Sequence, residues 1–141
     1  MPVYELDKDH LIFPHPGLAD EDGLLAFGGD LSVDRLLLAY SNGIFPWYSE
    51  GQPVMWWSPN PRMLLLPGTM RVSKSLRRTI RQKKFTVSAN QAFGEVIRAC
   101  AKVPRPGQDG TWITQDMILA YEKLHQAGYA HSFESWHEGR L

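Results

Sequence analysis

The stretch IFPWYSEGQPVMWWSPNPR, residues 44–62, holds four prolines and three tryptophans. Pro46, Pro53, Pro59 and Pro61 remove backbone donors and fix φ, so no helix crosses it. A boundary at its end divides the chain into a small N-terminal domain, residues 1–61, and the start of a larger α/β unit, residues 62–141. The expected fold class is α+β or α/β.

Upstream, FPHPGLADEDG (13–23) mixes proline, glycine and acids and reads as loop. In LLAFGGDLS (24–32), Gly28 and Gly29 mark a tight turn, and Asp30 reads as a turn or cap residue. Ser32 is an N-cap for a helix over about 33–41, with Asp34 suiting the helix dipole. Gly43 sits where a helix ends in the left-handed conformation.

Downstream, the apolar run MLLLP (63–67) predicts a buried strand over about 62–69. Ser73 is placed to cap a basic helix, and FTVS (85–88) reads as a strand. Asn90 is placed to cap a second helix with apolar positions at 92, 93, 96, 97 and 100. A loop with Pro104, Pro106, Gly107 and Gly110 follows. Thr114 caps a third helix, QDMILAYEKLHQA, closed by Gly128, and a strand then runs over about 129–137. Glu138-Gly139 reads as a two-residue hairpin turn with only Arg140 and Leu141 after it. A strand that turns without a return partner leaves an open edge, so the chain is expected to stop before its fold is complete.

Net charge is zero across 141 residues, but the charges are segregated. Residues 1–50 carry nine acids against two bases, 51–105 eleven bases against one acid, and 106–141 two bases against five acids. Separated blocks create a directed field rather than an evenly solvated surface. No apolar run reaches the ~20 residues that cross a bilayer, and the N-terminus lacks the pattern of a secretory signal. The expected location is cytoplasmic. The single cysteine, Cys100, excludes an intrachain disulfide and reads as a small buried hydrophobe.

The segment RVSKSLRRTIRQKK (71–84) holds seven of the fifteen basic residues and no acid. On a helix, Lys74, Arg77, Arg78 and Arg81 fall three and four apart and share a face. A row of cations without interspersed acids suits phosphate neutralisation along a nucleic-acid backbone. Trp47 and Trp112 lie in loops beside Pro46 and Gly110, where indoles form rigid platforms on which bases stack. Their alternative role is to plug the seam between the two parts of the chain. Trp56 reads as a packing residue.

Standard catalytic signatures are missing. His10, His15, His125, His131 and His137 have no metal-ligand spacing with acids or with Cys100, so no metal and no cofactor is expected. His131 alternates with Tyr129 and Phe133 and reads as a packing histidine, and His125 as an exposed helix residue. There is no GxSxG, P-loop or GxGxxG, and no acid pair stands out.

The ordered strings LLAFGGDLS, LLLAYSNGIFPWYSEGQPVMWWSPNPR, QAFGEVI.AC, GTWIT, AY..LH..GYAHS and FE.W resemble the leucyl/phenylalanyl-tRNA–protein transferases. The match runs from about residue 11 to the last residue. The resemblance implies a small N-terminal domain followed by the first part of a GNAT-like (N-acetyltransferase-like) domain. It implies transfer of Leu or Phe (or Met) from aminoacyl-tRNA to a protein with N-terminal Arg or Lys, marking it for N-end-rule degradation. Partners are therefore Leu-tRNA or Phe-tRNA and such proteins, with no membrane.

The resemblance also assigns residues. The 3′-terminal adenosine lies between two tryptophans in the family, and the FPW and GTW motifs match at Trp47 and Trp112. Tyr121 lies in the matching AY pair and lines the same site. The basic cluster that holds the acceptor stem matches at Lys74 and Arg78, more loosely at Arg81, Lys83 and Lys84, with Arg77 on the same helix. The aspartate and glutamine proposed to assist transfer in the family fall beyond Leu141, so no catalytic residue is assigned within the chain. The alternative reading is a tRNA-binding fragment without catalytic activity of its own. A small-molecule acetyltransferase fits less well, because 71–141 holds no glycine-rich pyrophosphate loop.

Overall fold

The computed structural model describes residues 3–104, 106–107 and 110–141. Arg105 and Asp109, which contribute to two of the charge blocks, lie outside the described residues.

A four-stranded sheet organises the first part. Its strands are β1 (Tyr4–Leu6), β2 (Leu24–Gly28), β3 (Phe45–Pro46) and β4 (Met55–Trp57), in the order β1-β2-β4-β3. The loop before β2 is closed by Asp20, whose Oδ1 accepts from the backbone of Asp22 at 3.0 Å and Leu24 at 2.8 Å. Gly23 ends that loop at φ 93°, and an added Cβ would lie 2.6 Å from Pro59 Cα, so the two segments approach only because the residue is glycine. β2 pairs with β1 in parallel and with β4 antiparallel, placing Ala26 opposite Trp56. The small residue makes room for the large one. Trp56 is fully buried, its Nε1 donates to Gly28 O at 3.0 Å, and Phe13 meets its ring edge-on at 4.9 Å. β3 is an edge strand, where Pro46 costs no ladder hydrogen bond.

Helix α1 (Val33–Ser41) starts as its cap predicts, with Ser32 Oγ accepting from Arg35 N at 3.3 Å. Leu36 and Ala39 turn into the core beside Leu25, Ile44 and Trp56. Arg35 is buried with them. Its Nη2 donates to the carbonyls of Asp7 at 2.8 Å, His10 at 3.1 Å and Lys8 at 3.3 Å, and its Nε pairs with Asp30 at 3.4 Å. One guanidinium thus ties the N-terminal segment to α1.

Helix α2 (Lys74–Arg81) is capped by Ser73, whose Oγ accepts from Leu76 N at 3.1 Å. Strand β5 (Thr86–Ala89) and strand β6 (Phe133–Trp136) pair antiparallel, with Val87 opposite Ser135 and Ala89 opposite Phe133. Between them lie α3 (Phe93–Lys102) and α4 (Gln115–Gln126). Thr114 Oγ1 caps α4 by accepting from Met117 N at 3.3 Å, and Gly128 closes it at φ 86°. Ala120 and Leu124 of α4 join the core around Trp56, while Met117 and Ile118 join a second cluster with Tyr48 and Ile113. α4 therefore packs on both parts of the chain. The hairpin turn forms as read: Glu138 and Gly139 both have positive φ, and His137 and Arg140 exchange backbone hydrogen bonds.

Five expectations are corrected. Residues 62–69 form no strand, and Met63, Leu64, Leu65 and Leu66 are exposed, at 98%, 70%, 72% and 57%. An apolar run without a neighbouring ladder gains neither backbone partners nor cover. Asn90 does not cap α3; it takes a positive φ and binds Ser132 N through Oδ1 at 3.2 Å. Cys100 is exposed, at the edge of a cavity lined by Val96 and Ile97 rather than inside either cluster. His125 is not an exposed helix residue: it stacks on Phe93 at 4.2 Å, and its Nδ1 lies 2.7 Å from Ala130 O. His131 is no packing residue either; on β6 and its approach Ser132 and Glu134 are buried while His131 and Phe133 are exposed.

Candidate functional site

Trp112 and Tyr121 reach the same place. Trp112 lies in the bend before α4 and packs against the cluster of Tyr48, Ile113, Met117 and Ile118. Tyr121 is two turns into α4 and is half-buried between the two clusters. Both line an apolar cavity of about 250 Å³, whose other walls include Phe93, Val96 and Ile97 of α3 and Ser132 before β6. That volume is below the roughly 300–1,000 Å³ of sites that enclose a whole small molecule. A space of that size matches one ring system or apolar side chain rather than a whole small molecule.

Trp47 is not among the residues lining this cavity; it stands half-exposed in the loop after β3. It is held firmly. Its N–H donates to Met55 O at 2.9 Å, its carbonyl accepts from Trp57 Nε1 at 2.6 Å, and the two indoles are 6.1 Å apart. The next residue, Tyr48, is buried in the cluster against which Trp112 packs. Tyr48 also reaches Thr114 Oγ1 at 3.4 Å. Trp47 thus precedes in the chain a residue of the cluster on which Trp112 packs.

Sequence reasoning missed Tyr40. Its hydroxyl, on α1, bonds that of Tyr121, and the rings meet edge to face at 6.5 Å. Burial pushes the Tyr121 hydroxyl above the usual phenol range, and the adjacent Tyr40 adds to the shift. In this contact either hydroxyl can be the donor. The available signal was Tyr40 four residues after Leu36, on a helix whose apolar side faces α4.

The cations stand apart from the cavity. Lys74, Arg77, Arg78 and Arg81 are all exposed on α2, and Lys83 and Lys84 follow its end, with Lys83 at φ 51°. Among the described residues the ion pairs are His10–Asp7, Arg35–Asp30 and Arg98–Glu122, so none of these cations is neutralised by a carboxylate. Leu76 and Ile80, on the same helix, are exposed as well. No helix among the described residues is long and apolar enough to cross a membrane.

The fold is mixed α/β, with an aromatic cavity, a half-exposed indole in the loop after β3 and a basic helix without an ion-pair partner among the described residues. Comparison with known proteins identifies the family. The family model for leucyl/phenylalanyl-tRNA protein transferase matches residues 64–141, and that for the N-terminal domain of the same transferases matches 29–60. The chain belongs to this family. A leucyl/phenylalanyl-tRNA–protein transferase of Syntrophobacter fumaroxidans is 57% identical over 141 residues, all of this chain and 60% of the relative. One of Solidesulfovibrio magneticus is 59% identical over the same 141 residues, covering 57% of the relative. One of Anaeromyxobacter is 57% identical over 136 residues, 96% of this chain and 57% of the relative. The chain thus spans about 60% of the length of the curated relatives it matches.

Proposed function

We propose that this chain binds the aminoacylated 3′ end of tRNA and acts as an aminoacyltransferase, moving Leu or Phe (or Met) to a protein with N-terminal Arg or Lys. The observation that carries this reading is the meeting of Trp112 and Tyr121 on one apolar cavity. Trp47 is the second platform for the terminal adenosine. Base stacking on an indole contributes ~1–3 kcal/mol per base, enough to fix a single nucleoside without reading its sequence. Lys74, Arg77, Arg78, Arg81, Lys83 and Lys84 hold the phosphates of the acceptor stem. Such contacts position the RNA but carry no sequence information.

The proposal includes a division into a small N-terminal domain, 1–61, and a GNAT-like portion, 62–141, in a cytoplasmic protein of the N-end-rule degradation route. The ester between amino acid and tRNA is already activated, so transfer needs positioning, removal of a proton from the incoming amine and stabilisation of an oxyanion. The residues named here provide the first. Tyr121 contributes to the cavity wall, with its hydroxyl engaged by that of Tyr40.

The test is incubation of the chain with labelled Phe-tRNA and an Arg-starting peptide, with tRNA binding measured in parallel. Labelled peptide is the expected result. Saturable tRNA binding without transfer supports the alternative, a binding fragment alone. Absence of tRNA binding overturns both.

A further inference from the structure

Glu134 is a carboxylate that this reading does not use, yet it is only 1% exposed and no cation faces it among the described residues. Burying an unpaired carboxylate is costly unless hydrogen bonds replace its water. Here they do. Oε1 accepts from Ser132 Oγ at 2.6 Å and Ala92 N at 3.2 Å, and Oε2 accepts from Ser88 Oγ at 2.5 Å. Ser88 Oγ in turn accepts from Trp136 Nε1 at 2.8 Å.

The backbone donor is the informative one. Ala92 is the N-cap position of α3 and has no side-chain cap of its own. The first N–H groups of a helix lack intrahelical partners and sit at the positive end of its dipole. Glu134 supplies the missing acceptor from across the β5–β6 sheet. A side chain on a strand thus caps a helix whose N-cap residue lies 42 residues earlier.

Its consequence lies in the cavity. Phe93, Val96 and Ile97 of α3 form one wall, Ser132 belongs to another, and Trp112 and Tyr121 face them. Ser132 is also tied to Asn90 by two hydrogen bonds, Asn90 N donating to Ser132 O at 3.0 Å and Ser132 N donating to the side-chain Oδ1 of Asn90 at 3.2 Å. These bonds fix the start of α3 to the approach of β6, and hence the width of the space opposite Trp112. We infer that Glu134 is a positioning residue for the Trp112–Tyr121 cavity, setting the α3 wall through the Ala92 N–H and the Ser88 and Ser132 hydroxyls. It touches no ligand itself. The inference rests on the functional reading above.

The experiment measures affinity for one probe, phenylalanine joined by an amide to the 3′ carbon of adenosine, together with amide hydrogen exchange over α3. The variants are Glu134→Ala, Glu134→Gln, Ser132→Ala and Trp112→Ala. Loss of one hydrogen bond to a charged group corresponds to a roughly tenfold weaker probe with Glu134→Ala. Glu134→Gln keeps an acceptor for Ala92 N and recovers much of that loss. Exchange in the first turn of α3 rises in Glu134→Ala and in the milder Ser132→Ala, measured well below their melting temperatures. A purely structural role lowers the melting temperature and leaves probe affinity of the folded protein unchanged; that result overturns the inference. Should Glu134→Ala not fold, Glu134→Gln and Ser132→Ala carry the same test, and wild-type affinity in both overturns it. Weakening by Trp112→Ala with wild-type affinity in the Glu134 variants sinks only the positioning role. Wild-type affinity in Trp112→Ala sinks the site reading itself, and unchanged exchange over α3 then removes the Glu134 role as well.

Discussion

The sheet around Trp56 and the stretch 62–84 are both rich in apolar residues, yet they end in opposite environments. In the first, Leu25, Leu36, Ile44 and Trp56 are fully buried, and Arg35 is buried with its Nη2 bound to three carbonyls. In the second, Met63, Leu64, Leu65, Met70, Leu76 and Ile80 are exposed beside eight cations. Burial in the first stretch follows from partners: Ala26 opposite Trp56, α1 beneath, α4 alongside. The second has a well-capped helix, none of whose residues is buried. Apolar content therefore does not decide burial here; the presence of a ladder or a facing helix does. The same contrast separates residues that hold the fold from residues free to meet a charged partner.

Substitutions can break that contrast. The largest effect is expected at Trp56→Ala, which leaves a cavity under the sheet and costs about 3–5 kcal/mol, read as a shift of the urea midpoint. A loss under 1 kcal/mol would mean that the sheet is not the stability centre of the molecule. A smaller effect belongs to Glu134. Hydrogen bonds from Ser132 and then Ser88 hold its carboxyl below the ordinary glutamate value of 4.5. A folded-state value below the unfolded one adds stability that is complete above 4.5 and fades as pH falls through the folded value. Thermal melts in acid should show this loss in the wild type and a flatter acid limb in Glu134→Gln. The smallest effect on stability is expected for Lys74→Ala/Arg78→Ala, within about 0.5 kcal/mol, since both residues are exposed and have no ion-pair partner among the described residues. In tRNA binding the same pair should matter, making the salt dependence shallower by about two units of log–log slope. Equal slopes would leave the basic helix as a solvated face only.

Legibility in the sequence followed the distance between cause and effect. Ser32, Ser73 and Thr114 cap helices that begin at the next residue, and all three accept from the helix they precede. The Glu138-Gly139 turn is equally local. The four-stranded sheet was not legible, because its strands are two to five residues long and pair across loops. The cap of α3 was misassigned to Asn90 for the same reason: the acceptor, Glu134, is remote in the chain. Arg35 was hidden by its charge, and His125 by a polar spacing that says nothing of the ring of Phe93 beside it. Of the candidate site, Trp112 and Tyr121 line one cavity, Trp47 is not among its lining residues, and Tyr40 enters only through tertiary packing.

The central claim is that Trp47 and Trp112 grip the terminal nucleoside of an aminoacyl-tRNA. Its most direct measurement is calorimetric titration of the amide-linked phenylalanyl-adenosine into wild type, Trp47→Ala and Trp112→Ala. Loss of one stacked indole, ~1–3 kcal/mol, predicts affinity reduced by about five- to a hundredfold in each variant. Affinity equal to wild type in both, with each variant folded, would contradict the account.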